Sequence, residues 1–557
     1  MSSHHRDAPA TTRAAPPDDD GARVAIVTLG CGRNEVDSDQ LAGLFHRDGV
    51  TVVEDPATAE VVLVNTCTFI APAKQESIDT VLEACQLKDE GTARAVLVVG
   101  CMAQRYPQEL ADAIPEADAI VGFDGYGRLP SIVDDVMGGR LEERIIGVSA
   151  PHPGSRPTTA TARTEDIGPT RLSLPVLVAP AGTEEATPPG IDVTSSRPPS
   201  STPPVPTSAA VAEAQDDLDR IPASGPRFPV RAHDGRPWAY LKIASGCDRV
   251  CTFCAIPSFR GRFRSRPLDE IVAEAAWLAD NGARELVLVS ENTTSWGKDL
   301  PGGRGSQPTL LRELAQVDGI ERIRLMYLQP AELTSELMEA IAIEPKVASY
   351  FDLSLQHVSA PVVARMARSG DHERFGELIH HIRSLDPQAV LRSNFILGFP
   401  GETDADVQQL EAFLAEHQLD WVGLFAFSRE DGTPSDDLPG QVAEELANER
   451  LRRVGDLQEQ VADEAARGFI GRELEVTVQE RTVEDGVELT LGRSYREAPD
   501  TDGEIHLVVA GGADEPGRLG SVPADLPVGR TVTATVVDAL GVDLVAEVDA
   551  RTAGPTP

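Results

Sequence analysis

Six of the seven cysteines in this 557-residue chain form two sets of three, and these sets constrain the fold more than any other feature. One set is compact and spaced CxxxCxxC: Cys247, Cys251 and Cys254. Thiols at this spacing can surround one face of a metal cluster. A closed four-iron cluster takes four protein ligands, so three thiols leave one iron open to another molecule. Structural zinc is the alternative, but such a site has four ligands, and the nearest upstream candidate, His233, is distant in sequence.

The other set follows three apolar runs near the start of the chain. Each run, rich in Val and other aliphatic residues, is followed by one cysteine: 24–30 by Cys31, 61–66 by Cys67 and 95–100 by Cys101. Helix-like segments at 38–47 and 72–88 separate the runs, so the pattern predicts an open parallel α/β sheet. Ligands of such sheets lie beyond the carboxyl ends of the strands. We therefore predict that the three thiols converge on a second cluster.

Cys85 belongs to neither set. It lies within the second helix-like segment, and an unpaired cysteine is commonly a small buried apolar side chain. We predict a core position for this thiol.

Strands and helices alternate through the middle of the chain. The six strand candidates are 240–244, 285–290, 323–328, 351–355, 390–397 and 422–427. Repeated βα units predict a parallel barrel or part of one, here with six strands. Chemistry in such barrels lies at the carboxyl ends of the strands, and the CxxxCxxC set follows the first of them.

Glycines and polar residues follow three of the later strands. The candidates for binding a cofactor are Glu291, Asn292, Gln356, Gly398, Gly401 and Glu402. Glycines let a flat ligand approach the backbone, while carboxylates and amides can hydrogen-bond to an amine or a ribose. The alternative is structural: the glycines can form a turn, and Glu291 can cap a helix.

Four alternating arginines follow the CxxxCxxC set: Arg260, Arg262, Arg264 and Arg266. A solvated basic strip is the simplest interpretation. A second is that these side chains balance thiolates or bind a carboxylate in bidentate fashion.

The last part of the chain has the short alternating runs of a β-barrel. The candidates are 473–479, 487–491, 504–509, 531–538 and 543–548, which predict a five-stranded antiparallel β-barrel. Acidic residues outnumber basic ones there, the wrong sign for binding a phosphate backbone.

The net charge of −39 also argues against a large nucleic-acid footprint. It suits a basic protein partner, and solubility alone would also explain it. No secretory signal or membrane-spanning run is seen, and the cysteines suggest metal chemistry in a reducing compartment. We therefore predict a cytoplasmic protein with no membrane partner.

Composition suggests how the chain is divided, because Pro, Thr and Ser replace large apolar residues in two stretches. The expected parts are a tail 1–21, an α/β domain 22–150, a disordered linker 151–226, a barrel domain 227–465, a β-barrel 466–551 and a tail 552–557.

The motifs around the cysteines resemble a known family. Cys254 is followed by Ala255, Ile256 and Pro257, which is similar to the cluster loop of radical S-adenosylmethionine enzymes. The first set lies in the motifs GCGRN at 30–34, NTC at 65–67 and GCMAQ at 100–104, which resemble those of the methylthiotransferases. The terminal barrel resembles the TRAM module, and the run 492–500 is similar to that of the branch modifying a ribosomal protein. The resemblance covers 22–137, 233–465 and 466–551.

The resemblance implies two four-iron clusters, each with one open iron. Cys247, Cys251 and Cys254 would hold the cluster that binds and cleaves S-adenosylmethionine, and Cys31, Cys67 and Cys101 an auxiliary cluster that carries sulfur. The implied reaction adds a methylthio group to the β-carbon of an aspartate in the twelfth small-subunit ribosomal protein, free or in the subunit. It would use two S-adenosylmethionine molecules, a sulfur donor and an electron donor.

Two other functions stay open from the sequence. A tRNA-adenosine methylthiotransferase would share both sets of cysteines but carry a basic surface. A non-catalytic iron–sulfur electron carrier would ligate every iron with protein. If the favoured function is correct, both sets of cysteines must face a shared cavity.

Overall fold

The computed structural model describes residues 22–148, 231–300, 307–484, 487–509 and 526–548. The predicted tails 1–21 and 552–557 and the predicted linker 151–226 lie outside these residues. No helix in the described ranges has the length and apolar character needed to cross a membrane.

The first unit is an open sheet of six parallel strands in the order β2-β1-β3-β4-β5-β6, which confirms the predicted α/β sheet. Its strands are β1 Arg23–Thr28, β2 Thr51–Val53, β3 Val61–Thr66, β4 Ala95–Val99, β5 Ala119–Val121 and β6 Ile145–Ile146. Its helices are α1 Gly32–Arg47, α2 Ala71–Asp89, α3 Gly100–Arg105, α4 Pro107–Ala113 and α5 Leu129–Met137. Leu63 and Leu97 pack on one face and Val62 and Val96 on the other. The strands are apolar throughout because both faces are covered.

Helix α1 begins at Gly32, six residues before the predicted start. The reason is that its first turns bury polar side chains, among them Asn34 and Asp37, which are fully shielded from solvent. A search for apolar periodicity does not detect such turns.

The second unit is a partial barrel of six parallel strands, as predicted. Its two halves have the orders β11-β10-β7 and β12-β13-β14 and are joined by single bridges from Ile323 to Val347 and from Leu328 to Leu353. The strands are β7 Trp238–Lys242, β10 Glu285–Val289, β11 Arg322–Leu325, β12 Tyr350–Gln356, β13 Val390–Leu397 and β14 Trp421–Ala426. The helices are α6 Ile256–Arg260, α7 Leu268–Asp280, α8 Gln307–Ala315, α9 Ser335–Ile343, α10 Ala360–Arg365, α11 His372–Leu385, α12 Asp404–His417 and α13 Glu444–Arg467.

Alternate residues of these strands serve two cores. Leu286 and Leu288 pack outward against the helices, whereas Val287 and Val289 point into the barrel. A small antiparallel pair, β8 Ala244–Ser245 with β9 Arg264–Ser265, joins the two ends of the CxxxCxxC loop.

The third unit is a closed barrel in the order β15-β16-β17-β19-β18. Its strands are β15 Glu473–Glu484, β16 Val487–Arg493, β17 Ile505–Val509, β18 Thr531–Leu540 and β19 Asp543–Val548. The predicted five-stranded barrel is confirmed, but it is not antiparallel throughout, since β17 and β19 pair in parallel. An odd number of strands cannot alternate in direction around a closed ring, so one parallel pair is required.

The third unit contributes to the interior of the second. Ala498, from the segment after β16, packs inside the partial barrel with Val287 and Val289. Glu285, the first residue of β10, accepts a hydrogen bond from Arg324 at 2.8 Å and lies 3.2 Å from Arg493 of the third unit. Burial would raise the pKa of Glu285, but Arg493, Arg324 and Arg322 lower it to about 2. Buried charges therefore join the two units at the amino-terminal ends of the strands.

Candidate active site

The first set of cysteines follows three neighbouring strands, β1, β3 and β4. Gly30 lies so close to Cys67 that a Cβ at this position would be 2.9 Å from Sγ. The Asn34 side chain donates from Nδ2 to the carbonyl oxygens of Leu29 (2.8 Å) and Thr66 (3.2 Å), and its Oδ1 lies 3.7 Å from Sγ of Cys101. One buried amide thus ties together the loops that carry the three thiols.

Two arginines compensate the charge of these thiols. Arg33 Nε lies 3.4 Å from Sγ of Cys31, and Arg260 donates from Nη2 to Sγ of Cys101 at 3.1 Å. Burial would raise the pKa of Cys31, but both guanidinium groups lower it below the ordinary thiol value. Within the part of the chain that the structure describes, no arginine donates to Cys67, and burial with two neighbouring thiols raises its pKa to about 12. The thiolate is the form that binds metal, so positive charge placed here favours a metal site.

The second set lies in the loop between β8 and α6. Arg249 donates its backbone N–H toward Sγ of Cys247 at 3.5 Å, and Arg368 lies 3.4 Å from Sγ of Cys251. Burial raises the pKa of Cys247 to about 11 and that of Cys254 to about 12. All three side chains keep some exposure.

Glu291 connects the two sets. Its Oε1 lies 3.5 Å from Nη1 of Arg33 and 3.6 Å from Nη1 of Arg260, and the carboxylate is nearly inaccessible to solvent. Arg33 belongs to the first unit and Glu291 to the second. The charge of Arg33 also acts on Cys254, and that of Glu291 on Cys247. Glu291 and its two arginines therefore lie between the elements that carry the two sets of cysteines, and the region around them is termed the gap.

Tyr327 lies in the same gap, and no sequence pattern identified it. It follows β11 with φ +61°, and its backbone N–H donates to Asp352 Oδ2 at 2.8 Å. The Arg33 guanidinium lies 5.6 Å from the centre of its ring. Burial and the nearby Cys31 raise the pKa of Tyr327 to about 12.

The predicted cofactor-binding residues fall into two groups. Glu291, Asn292 and Gln356 lie at the carboxyl ends of β10 and β12, the end that carries the cysteines. Both carboxylate oxygens of Glu291 are buried and accept no hydrogen bond from any residue in the described ranges, and Gln356 has φ +73°. Asn292 donates to Ser295 Oγ at 2.9 Å and to Glu332 Oε2 at 3.1 Å.

Gly398, Gly401 and Glu402 make contacts within the protein. Glu402 Oε1 accepts hydrogen bonds from the Gly398 N–H and from Arg450, both at 2.9 Å. A Cβ at Gly401 would overlap the Arg365 guanidinium. These contacts favour the structural alternative, in which the three residues form a turn after β13.

Three of the four arginines after the second set differ in burial and partner, and the fourth, Arg264, begins β9. Arg260 is buried against the first set, whereas Arg266 pairs with Glu274 at 2.6 Å. Arg262 is exposed. Cys85 packs in the apolar core of the first unit, as predicted.

A cavity of about 290 Å³ lies beside the first set, where all three units meet. Its lining includes Gly30, Glu35, Asp39, Arg236 and Asp500. Burial and the neighbouring Asp500 raise the pKa of Glu35 to about 7, although Arg236 opposes this.

Family models match all three units. They are an uncharacterised protein family, UPF0004, over residues 23–122, the radical SAM superfamily over 241–414 and the TRAM domain over 470–548.

Curated relatives match nearly the whole chain. A protein of Kineococcus radiotolerans is 44% identical over 94% of this chain and 96% of its own length. One of Salinispora arenicola is 45% identical over 97% of each chain, and one of Streptomyces griseus is 43% identical over 94% of this chain and 97% of its own. Each is named ribosomal protein uS12 methylthiotransferase RimO.

A partial βα barrel with three thiols after its first strand, matched by the superfamily model, defines a radical S-adenosylmethionine enzyme. The relatives then give the family. The chain belongs to the RimO ribosomal protein uS12 methylthiotransferases.

Proposed function

We propose that this chain transfers a methylthio group to the β-carbon of an aspartate in ribosomal protein uS12. Near-full-length similarity to relatives of that name supports the proposal. The observation that carries it is the contact of Glu291 with both Arg33 and Arg260, because a carboxylate of the second unit thereby reaches the two arginines beside the first set of cysteines. An enzyme that generates a radical at one metal site and delivers sulfur from another needs a shared space.

Each set of three thiols fits a four-iron cluster with one iron not held by protein. We assign Cys247, Cys251 and Cys254 to the radical-forming cluster and Cys31, Cys67 and Cys101 to the auxiliary one. When bound, these clusters and S-adenosylmethionine supply the electron, the radical, the methyl group and the sulfur. The protein supplies the thiolates, positive charge beside them and the shielding of the gap from water.

Glu291, Asn292 and Gln356 are proposed to contact S-adenosylmethionine. Glu291 is the strongest candidate, since its oxygens, although close to two arginines, accept no hydrogen bond from the described residues and can accept one from a cationic amine. Gly398, Gly401 and Glu402 are proposed to support this pocket by shaping the loop after β13.

The substrate is proposed to dock by charge. The chain is strongly acidic, and opposite potentials accelerate and orient association with a basic ribosomal protein. A sulfur donor and an electron donor complete the proposed partners, and the cytoplasm is the proposed location. The proposed domains keep the boundaries 22–150, 227–465 and 466–551.

The test offers two substrates in parallel. The reconstituted, reduced protein with S-adenosylmethionine and sulfide is given purified uS12 in one reaction and unmodified tRNA in the other. We expect mass spectrometry to detect one methylthio group on a uS12 aspartate and none on tRNA. A variant with Cys31, Cys67 and Cys101 replaced by Ala is the control and should modify neither. Modification of tRNA alone would overturn the proposal.

The electron-carrier alternative has its own discriminator. Cleavage of S-adenosylmethionine by the reduced protein yields 5′-deoxyadenosine, which a carrier does not form. We expect this product in the presence of both clusters, and its absence would favour the carrier.

A further inference from the structure

Tyr327 has an unusual backbone for a large side chain. Its φ of +61° lies in the left-handed region, where a bulky residue is strained. Strain of this kind persists only where the surroundings impose it, and it is concentrated at functional sites. Tyr327 also follows β11 at the carboxyl end of the barrel strands, where the chemistry of such barrels lies.

A chain of buried charges holds this conformation. Asp352 accepts the Tyr327 N–H through Oδ2 and a hydrogen bond from Arg392 through Oδ1, at 2.9 Å. Arg392 also donates from Nε to Asp502 of the third unit at 3.2 Å. Asp502 is fixed in turn by the Tyr350 hydroxyl at 2.6 Å and the Ala498 N–H at 2.9 Å. The terminal barrel thereby reaches, through the interior of the partial barrel, a residue beside the cysteines.

The Tyr327 side chain offers a donor to the gap. Tyr327 is partly exposed, and its hydroxyl makes no hydrogen bond to the residues that the structure describes. The Arg33 guanidinium lies over its ring, 5.6 Å from the ring centre, so a positive charge lies next to this side chain. A neutral donor beside a guanidinium is suited to a carboxylate.

We propose that the Tyr327 hydroxyl donates a hydrogen bond to the carboxylate of the substrate aspartate, and that Asp502 is a positioning residue that holds Tyr327 through Arg392 and Asp352. The inference rests on the proposed function, because it takes an aspartate side chain as the group that enters the gap. It adds the residues that recognise that side chain and orient its β-carbon.

The first test is a double-mutant cycle that measures the coupling between the Tyr327 hydroxyl and the carboxylate of the substrate aspartate. Binding of purified uS12 and of its variant with Asn at the modified aspartate is measured for the unaltered holoenzyme and for Tyr327→Phe. A hydrogen bond to a charged group corresponds to roughly a tenfold to hundredfold change in affinity. We expect the unaltered enzyme to favour the aspartate form by about that factor and Tyr327→Phe to lose most of this preference. Tyr106→Phe changes a ring that contacts Lys74 and Arg105 and not Arg33, and it should keep the preference.

Equal weakening of both substrates by Tyr327→Phe, or no weakening, would overturn the inference. Failure of the unaltered enzyme to bind uS12 would instead contradict the proposed function and the inference with it. Normal uS12 modification with an unchanged preference in Tyr327→Phe would contradict the inference alone.

The second test concerns Asp502. Asp502→Asn should reduce the aspartate preference, and adding Tyr327→Phe should bring little further loss, because both changes act on one interaction. Glu285→Gln, which alters another buried ion pair at the same interface, should retain the preference. Equal effects of Asp502→Asn and Glu285→Gln would indicate general loosening and remove the positioning role. If Asp502→Asn does not fold, Tyr350→Phe replaces it, because this conservative change removes one hydrogen-bond donor to Asp502. We then expect a smaller reduction of the aspartate preference.

Discussion

Arg260 donates a hydrogen bond to Sγ of Cys101 at 3.1 Å, although Arg260 follows the other set of cysteines along the chain. Arg33 makes the opposite connection, because it neighbours Cys31 in sequence and reaches Glu291 of the second unit. Each unit therefore supplies an arginine that contacts an acidic or thiol group of the other unit beside the first thiol site.

Replacing Arg260 should destabilise the protein more than replacing a neighbouring arginine. Arg260→Gln removes one of the two buried cations beside Asp37 and beside Glu291, which keep Lys242 and Arg33. Removing one partner of a buried ion pair costs up to about 3–5 kcal/mol. Arg262→Gln changes an exposed side chain and should have little effect. The free energy of unfolding in urea, with iron content measured in parallel, makes the comparison. Similar losses for both variants would contradict the role given to Arg260.

Removing either set of cysteines should remove half of the iron. The reconstituted protein is expected to hold about eight iron atoms and each triple Cys→Ala variant about four. Loss of Cys31, Cys67 and Cys101 should leave the formation of 5′-deoxyadenosine in place, whereas loss of Cys247, Cys251 and Cys254 should abolish it. Cys85→Ala is the matched control, and a drop in its iron content would count against the assignment.

Adding a methyl group at Gly30 should disturb the first thiol site. Gly30→Ala puts Cβ 2.9 Å from Sγ of Cys67 and also incurs the penalty of a positive φ, roughly 1–2 kcal/mol. Gly49→Ala carries a similar penalty at φ +79° but meets nothing within 4 Å. Both variants should therefore lose stability, and only Gly30→Ala should also lose the iron of the first site. Equal iron contents would show that this close approach is unimportant.

Glu35 should make stability fall as the pH rises. Its pKa in the folded protein is about 7 against an ordinary 4.5, raised by burial and by Asp500 and Asp39 and opposed by Arg236. The folded state therefore binds the proton more tightly, so its stabilisation is present below about pH 4.5 and is lost as the pH passes 7. Relative to Glu35→Gln, the free energy of unfolding of the unaltered protein should fall by roughly 2 kcal/mol between about pH 5 and pH 8. The side chain is partly exposed, and solvent screening keeps the effect below the full value of the pKa shift.

Urea unfolding at both pH values measures the difference for Glu35. The exposed carboxylate of Glu76 provides the control, since Glu76→Gln should follow the unaltered protein throughout. A pH-independent difference between Glu35→Gln and the unaltered protein would show that Glu35 titrates normally.

Sequence reasoning succeeded where one residue type marks one structural position. Cysteines directly after apolar β-branched runs predicted thiols at strand ends, and repeated βα units predicted the barrel. Both signals can be read within one segment, because a buried strand is apolar along its length. Strand β13, for example, was predicted with its observed bounds.

Sequence reasoning gave no signal for contacts between distant segments. Tyr327 is one aromatic residue after a strand, and only its backbone conformation and its contact with Asp352 distinguish it. The sequence around Glu402 is compatible with cofactor binding. In the structure the same carboxylate is a buried hydrogen-bond partner of Arg450. The parallel pairing of β17 with β19 arises because a closed barrel of five strands cannot be antiparallel throughout. The sequence of any single strand contains no sign of this pairing.

The hydrogen bond from Arg260 to Cys101 bears on how such an enzyme arises. A gene fragment that encoded the sheet alone would keep Arg33 but lose the arginine donor to Cys101, and one that encoded the barrel alone would leave Arg260 with Glu291 but without Cys101 and Asp37. Each fragment would lack part of the charge balance of the first thiol site, so the two halves should be inherited as a pair.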